Sequence, residues 1–212
     1  METFAPKVRG TVVEYGAGLG TVSERLVPLA EKLIVVEPLP ALAECLNARF
    51  AGEPRVEVVA QTLELHAQNT EADTFDTVVL VNVLEHIQDD EAALGHLTRI
   101  LRPGGHLLIF VPALRFLMSK LDLKLGHHRR YDKRELLTKI KCAGATPLMC
   151  RYFDLVGVAT WFFPNTLFGF TSFNLTLLRL NDRIIVPISR ALERVAPPPI
   201  GKNLILIASK PS

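Results

Sequence analysis

Three glycines spaced two apart, Gly16, Gly18 and Gly20, follow the apolar run Thr11–Tyr15. With no Cβ in the way, such a loop can turn sharply and bring its backbone close against a ligand. Glu14 stands two residues before the first glycine, and Glu37 ends the next apolar run, 21 residues after Gly16. A carboxylate at the end of a second strand can accept hydrogen bonds from both ribose hydroxyls of a nucleoside. Hydrogen bonds to a charged group contribute about 1.5–3 kcal/mol each. The loop departs from the dinucleotide fingerprint, which needs one more glycine where this chain has Thr21. Glycines alone would mark only a tight strand-to-helix turn. Glycines flanked by both acids point to a nucleoside site.

Two further segments carry reactive side chains. In FDTVVLVNVLEHI, Asn82 closes an apolar run and Glu85-His86 opens the next loop. His86 is a candidate base because an imidazole titrates near neutrality. The same pair could also serve only to shape the loop. In LGHHRRYDKREL, the guanidinium of Arg129 could clamp a carboxylate or phosphate and Tyr131 could donate to an acceptor oxygen. A solvated basic loop, or a contact with anionic lipid, fits those residues equally well.

The elements that must position these groups are legible as apolar, β-branched runs. Strands are expected at Thr11–Tyr15, Leu33–Glu37, Val56–Ala60, Thr77–Asn82, His106–Pro112, Thr146–Phe153 and Asn203–Ser209. The runs are apolar on both faces, as strands covered by helices must be. Thr21 with Glu24 forms a capping-box pattern, and Pro38 and Pro40 suit the first turn of a second helix. Asp89 and Asp90 favour the start of a helix, LRPGG (Leu101–Gly105) reads as a stop-and-turn, and Asp132 with Glu135 would cap a helix ending at Gly144. Strand–helix alternation of this kind implies an α/β, doubly wound, Rossmann-like sheet.

Taken in order, VVEYGAGLGT, the acid at Glu37, FDTVVLVNVLEHI and LRPGGHLLIFVP resemble the consecutive motifs of the small-molecule class I S-adenosylmethionine (SAM) methyltransferases, the broad group that includes the quinone-biosynthesis enzymes. The resemblance covers residues 11–112 strongly and 126–154 more weakly. It implies a seven-stranded sheet whose last strand runs antiparallel. It implies SAM as cofactor, with Gly16, Ala17, Gly18 and Gly20 beneath its methionine part. Glu14 and Asn82 would lie near the ammonium group, and Glu37, with Pro38 beside it, would hold the ribose. Thr62 and Leu63 would supply the adenine contact. His-x-x-Arg-Tyr segments of relatives often face the acceptor, which makes Arg129 and Tyr131 catalytic candidates beside His86. Some relatives bind a divalent metal through Glu-x-x-Glu-His; Asn82-x-x-Glu85-His86 lacks the first carboxylate, so no metal is expected. Relatives carry helices before the first strand that close over SAM. About ten residues precede it here, so either the chain starts late or a later insertion does the covering.

Composition narrows the partners. The chain has 212 residues, 49% of them hydrophobic, and a net charge of +2, which suits one domain over residues 1–212 and disfavours a nucleic-acid binder. Three cysteines without metal spacing, and no signal-peptide core, fit a reduced cytoplasmic protein. Residues 119–144 hold eight Lys/Arg against three Asp/Glu, and 155–178 hold no charge at all. Pro164-Asn165 interrupts that apolar run, so a spanning helix is not expected. The insertion 155–200 is read instead as a lid over an apolar acceptor, a homodimer face or a shallow, peripheral membrane contact, with a helix at Asn181–Val195 ended by Pro197-Pro198-Pro199. The preferred function is methylation of a small, apolar or lipid-linked acceptor at oxygen or carbon. A SAM-binding scaffold without turnover and a nicotinamide oxidoreductase are the alternatives.

Overall fold

The computed structural model describes residues 1–170, 193 and 198–212. Seven strands form one sheet: β1 Thr11–Tyr15, β2 Lys32–Val36, β3 Val56–Val59, β4 Phe75–Val81, β5 Leu101–Pro112, β6 Thr146–Phe153 and β7 Asn203–Ser209. Their order is β3-β2-β1-β4-β5-β7-β6. The first five run parallel to one another, and β7 lies antiparallel between β5 and β6. This is the Rossmann-like sheet with an antiparallel last strand that the resemblance implied. Order reverses at β1, which pairs β2 on one side and β4 on the other. In open α/β sheets that switch point opens a crevice beyond the carboxyl ends of the strands.

Each face of the sheet carries its own core. Val13, Tyr15, Val78, Leu80, Leu107 and Ile109 point to one side, where Leu94 and Leu97 of α4 (Asp90–Ile100) and Leu136 and Ile140 of α6 (Lys133–Cys142) cover them. Val12, Leu33, Val35, Val79 and Leu108 point to the other, against Leu26 of α1 (Ser23–Leu26) and Leu46 of α2 (Pro40–Phe50). Burial on both faces is what the unbroken Val/Ile/Leu runs require. The short helices α3 (Leu63–Asn69), α5 (Lys120–Lys124) and α7 (Leu155–Trp161) complete the described set.

Several local expectations change in detail. β2, β3 and β4 each end one residue early, so Glu37 and Asn82 stand just beyond their strands. Thr21 and Glu24 form no capping box: α1 starts at Ser23, which puts apolar Val22 at the cap position, and the Glu24 carboxylate accepts from Arg49 Nε instead. LRPGG is not a turn outside the sheet. Leu101 already pairs with Phe75, and the glycines sit in an irregular stretch of β5 before regular pairing resumes at His106. Asp132 precedes α6 without capping it, since Arg115 draws both Asp132 and Glu135. Asp89 does cap α4, accepting from Ala92 N at 3.0 Å.

After β6 the chain runs through α7 into a wider π-helical turn, Phe162–Leu167, that contains Pro164. No helix among the described residues is long and apolar enough to cross a membrane. The expected helix at Asn181–Val195, and Phe173 with the rest of the uncharged run, lie outside the described residues apart from Glu193.

Candidate functional site

The glycine loop sits at the switch point, directly after β1. Gly16, Gly18 and Gly20 all adopt left-handed φ, at 67°, 57° and 81°. That conformation is cheap only without a Cβ. Space adds a second reason at two of them: a Cβ on Gly16 would lie 2.5 Å from Val83 Cγ2, and one on Gly20 2.8 Å from Leu46 Cδ2. Over Gly18 a Cβ would meet no atom within 4 Å, so the loop has open space above its centre. Ala17 is buried beneath it.

Glu37 closes the loop from β2. Its Oε2 accepts from Gly18 N at 2.9 Å and its Oε1 from Leu39 N at 3.1 Å. Each oxygen keeps a second acceptor direction for a ligand hydroxyl. Pro38 is exposed beside it. Glu14 is buried below the loop and accepts a hydrogen bond from Ser23 Oγ at 2.5 Å, which ties α1 to β1. Burial, only partly offset by that hydrogen bond, pushes the Glu14 carboxyl up to about 7. Asn82 stands exposed at the end of β4 with φ 55°, a conformation asparagine tolerates better than most residues. At the edge of β3, exposed Thr62 caps α3 through Leu65 N, while the Leu63 side chain is turned into the core. Leu63 can therefore offer a ligand only its backbone.

On the far side of β4, Leu84–His86 form a 3-10 turn beyond Asn82. Burial and the neighbouring His127 and His128 hold the exposed His86 imidazole below its usual pKa, so it is neutral near pH 7. Two expected acceptor contacts are placed differently. Tyr131 is fully buried, and its hydroxyl lies 2.8 Å from Asp90 Oδ2, to which it donates, and 3.2 Å from Leu84 O. Arg129 pairs with Asp90 Oδ1 at 2.6 Å and donates to Gln88 O at 2.6 Å. Lys139 Nζ joins the same carboxylate at 2.7 Å. Burial alone would raise the Asp90 pKa, yet Lys139, Tyr131 and Arg129 together hold it below its usual value. Arg129 and Tyr131 thus tie the segment before α6 to Asp90 of α4.

Sequence reasoning passed over Asp122. It is buried and receives Arg130 Nη2 at 2.8 Å, His127 Nδ1 at 3.0 Å and Ser119 Oγ at 2.7 Å. These partners lower its pKa to about 2 against the effect of burial. The Ser119-x-x-Asp122 spacing is a capping-box signal that could have been read, and the box is formed at the start of α5. Arg130 in turn stacks on Trp161 of α7, 4.7 Å from the ring centroid.

A cleft of about 500 Å³ adjoins the loop on the α1 face. Phe4, Val22, Val81, Phe110, Phe153 and Ile205 line it, with Arg25 and Arg151 at its polar side. Val22 and Val81 are chain neighbours of the glycine loop and of Asn82.

Comparison with known proteins agrees with this geometry. Residues 1–162 match the model of a family described as a methyltransferase domain. The chain belongs to that methyltransferase family. A demethylmenaquinone methyltransferase from Clavibacter sepedonicus is 29% identical over 109 residues, 50% of this chain and 42% of that protein. The human mitochondrial ubiquinone biosynthesis O-methyltransferase is 31% identical over 102 residues, 46% of this chain and 27% of that one. The matches thus span less than half of these relatives. A SAM-dependent methyltransferase from Mesorhizobium loti superposes with a TM-score of 0.68, covering 99% of this chain and 95% of that one at 15% identity, a likeness of fold. Family and fold imply use of SAM, and the open space over Gly18 with Glu37 at its rim fits that cofactor.

Proposed function

We propose that this protein transfers the methyl group of SAM to a small, apolar acceptor at oxygen or carbon. The observation that carries the reading is the glycine loop: three left-handed glycines with open space over Gly18, clasped by the Glu37 carboxylate at the sheet's switch point. In this reading Gly16, Ala17, Gly18 and Gly20 lie under the methionine part of SAM, with Glu14 and Asn82 toward its ammonium end. Glu37 and Pro38 flank the ribose, and Thr62 and the Leu63 backbone flank the adenine. SAM supplies an electrophilic methyl group. The protein's part is to hold the acceptor in line with it and to take a proton where the acceptor has one to lose.

His86 suits that last task, since it is neutral, exposed and at the carboxyl edge of the sheet. Arg129 and Tyr131 act by positioning: their ties to Asp90 fix the segment that carries His127 and His128. The apolar lining of the cleft beside the loop supports an apolar acceptor. Exposed Phe163, Phe168 and Phe170 support a lid or a shallow, one-sided lipid contact by a cytoplasmic protein. Mass spectrometry of cell extracts incubated with the protein and isotopically labelled methyl-SAM tests the reading. Label in one or a few small apolar compounds is expected. Label confined to nucleic acid or protein, or no enzyme-dependent label at all, would overturn it.

A further inference from the structure

Glu85 is fully buried, yet neither of its carboxylate oxygens has a hydrogen-bond partner. Buried polar groups are normally paired, and an isolated buried charge is costly. The nearby cation is already engaged. Arg130 gives Nε and Nη2 to Asp122 Oδ1, at 3.0 and 2.8 Å, and Nη1 to Ala113 O at 3.3 Å. The carboxylate of Glu85 is thus left without a hydrogen-bond donor of its own.

Two imidazoles lie beside that carboxylate. One ligand atom from each of Glu85, His86 and His127 lies within 4.8 Å of the other two. The two rings meet edge to face, with centroids 4.7 Å apart. The His127 ring is held from behind. His127 Nδ1 lies 3.0 Å from Asp122 Oδ1, and a proton there leaves the lone pair on Nε2. His86 has its Nδ1 turned toward Gly126, 3.6 Å from where a Cβ on that glycine would stand. A ring whose second nitrogen donates to a carboxylate or carbonyl is the usual arrangement of a metal-bound histidine, because the outer bond fixes both tautomer and direction.

We propose that Glu85, His86 and His127 bind one divalent transition-metal cation of the zinc type, with Asp122 as the positioning residue for His127. Two nitrogens and one carboxylate oxygen favour such a cation over magnesium or calcium, which take oxygen ligands. Three protein ligands leave a coordination position open to water or a ligand oxygen. The pattern around Asn82 pointed away from a metal because the third ligand is not on that segment. It comes from the loop between α5 and α6, which Asp122 and the Glu85 carbonyl hold in place; the latter accepts from His128 N at 2.8 Å. The inference rests on these side chains and not on methyl transfer; a bound cation would take up the His86 lone pair, so the proton-accepting role given to His86 above would belong to the metal-free protein alone.

The test uses Zn2+ alone. The full chain is freed of metal with a chelator and titrated at neutral pH by calorimetry, without SAM or acceptor. One saturable site per chain is expected, undisturbed by excess Mg2+. Glu85→Gln and His127→Gln keep side-chain size and should each weaken it more than Asp122→Asn, an outer-shell change expected to cost about 10–100-fold. Circular dichroism verifies that each variant is folded; should both buried-site variants fail, His86→Gln, at an exposed residue, reads out the same site. Absence of saturable Zn2+ binding to the parent, or equal affinity in the folded variants, would overturn the proposal. Because no SAM is present, failure here leaves the methyltransferase reading untouched, and loss of SAM binding elsewhere leaves this site untouched.

Discussion

Replacing Glu37 by alanine removes the acceptor for two backbone amides, Gly18 N and Leu39 N, and with it a carboxylate at the rim of the open space. If that carboxylate also accepts from a ribose hydroxyl, SAM loses a charge-assisted hydrogen bond of about 1.5–3 kcal/mol. At 1.4 kcal/mol per factor of ten, the dissociation constant should rise by about 10- to 150-fold. Glu37→Gln should behave similarly. Both oxygens already face N–H donors, so an amide must turn its own NH2 toward one of them. Calorimetric titration with SAM gives the constants, and thermal melting without ligand separates a loosened loop from lost binding. An unchanged dissociation constant in a folded Glu37→Ala protein would remove Glu37 from the site and with it the argument from the switch point.

Gly16→Ala should both destabilise the protein and abolish SAM binding, because the new methyl would collide with Val83 Cγ2 at a left-handed φ; a variant that melts and binds like the parent refutes the packing argument. Tyr131→Phe should lower stability by about 1.5–3 kcal/mol through the lost bond to Asp90 while leaving SAM affinity unchanged; weaker SAM binding without a loss of stability would return Tyr131 to the ligand site. Glu14 holds its proton more tightly folded than unfolded, with a pKa raised from 4.5 to about 7. Its contribution is therefore full below 4.5 and fades as pH rises toward 7, with a total of about 3 kcal/mol as an upper figure. Glu14→Gln should flatten that part of the stability curve in denaturant titrations and stabilise the protein at pH 8; parallel curves for the two proteins would contradict the buried, proton-holding carboxyl.

What the sequence disclosed was what local pattern controls. β-branched runs located all seven strands, since strands buried on both faces leave little else to choose. The glycines were legible because left-handed backbone within their own segment demands them, and Glu37 because it ends an apolar run at a fixed spacing from them. What stayed hidden depends on partners distant in the chain. Thr21 and Glu24 looked like a cap, but α1 starts two residues later than Thr21, and Arg49, from α2, takes the Glu24 carboxylate. Nothing in LGHHRRYDKREL reveals that Asp90, on α4, pairs with both Arg129 and Tyr131. The cluster of Glu85, His86 and His127 exists only once the loop after α5 folds back on β4. Asp122 was within reach of pattern reading through its capping box, though its hold on Arg130 and His127 was not.

Titration calorimetry of the full chain with SAM, S-adenosylhomocysteine and NAD, each in turn, tests the central claim most directly. Saturable binding of both adenosyl ligands and none of NAD is predicted, because the loop carries Thr21 where a dinucleotide fold needs a glycine. Saturable NAD binding without heat from either adenosyl ligand would contradict the assignment of this site to methyl transfer.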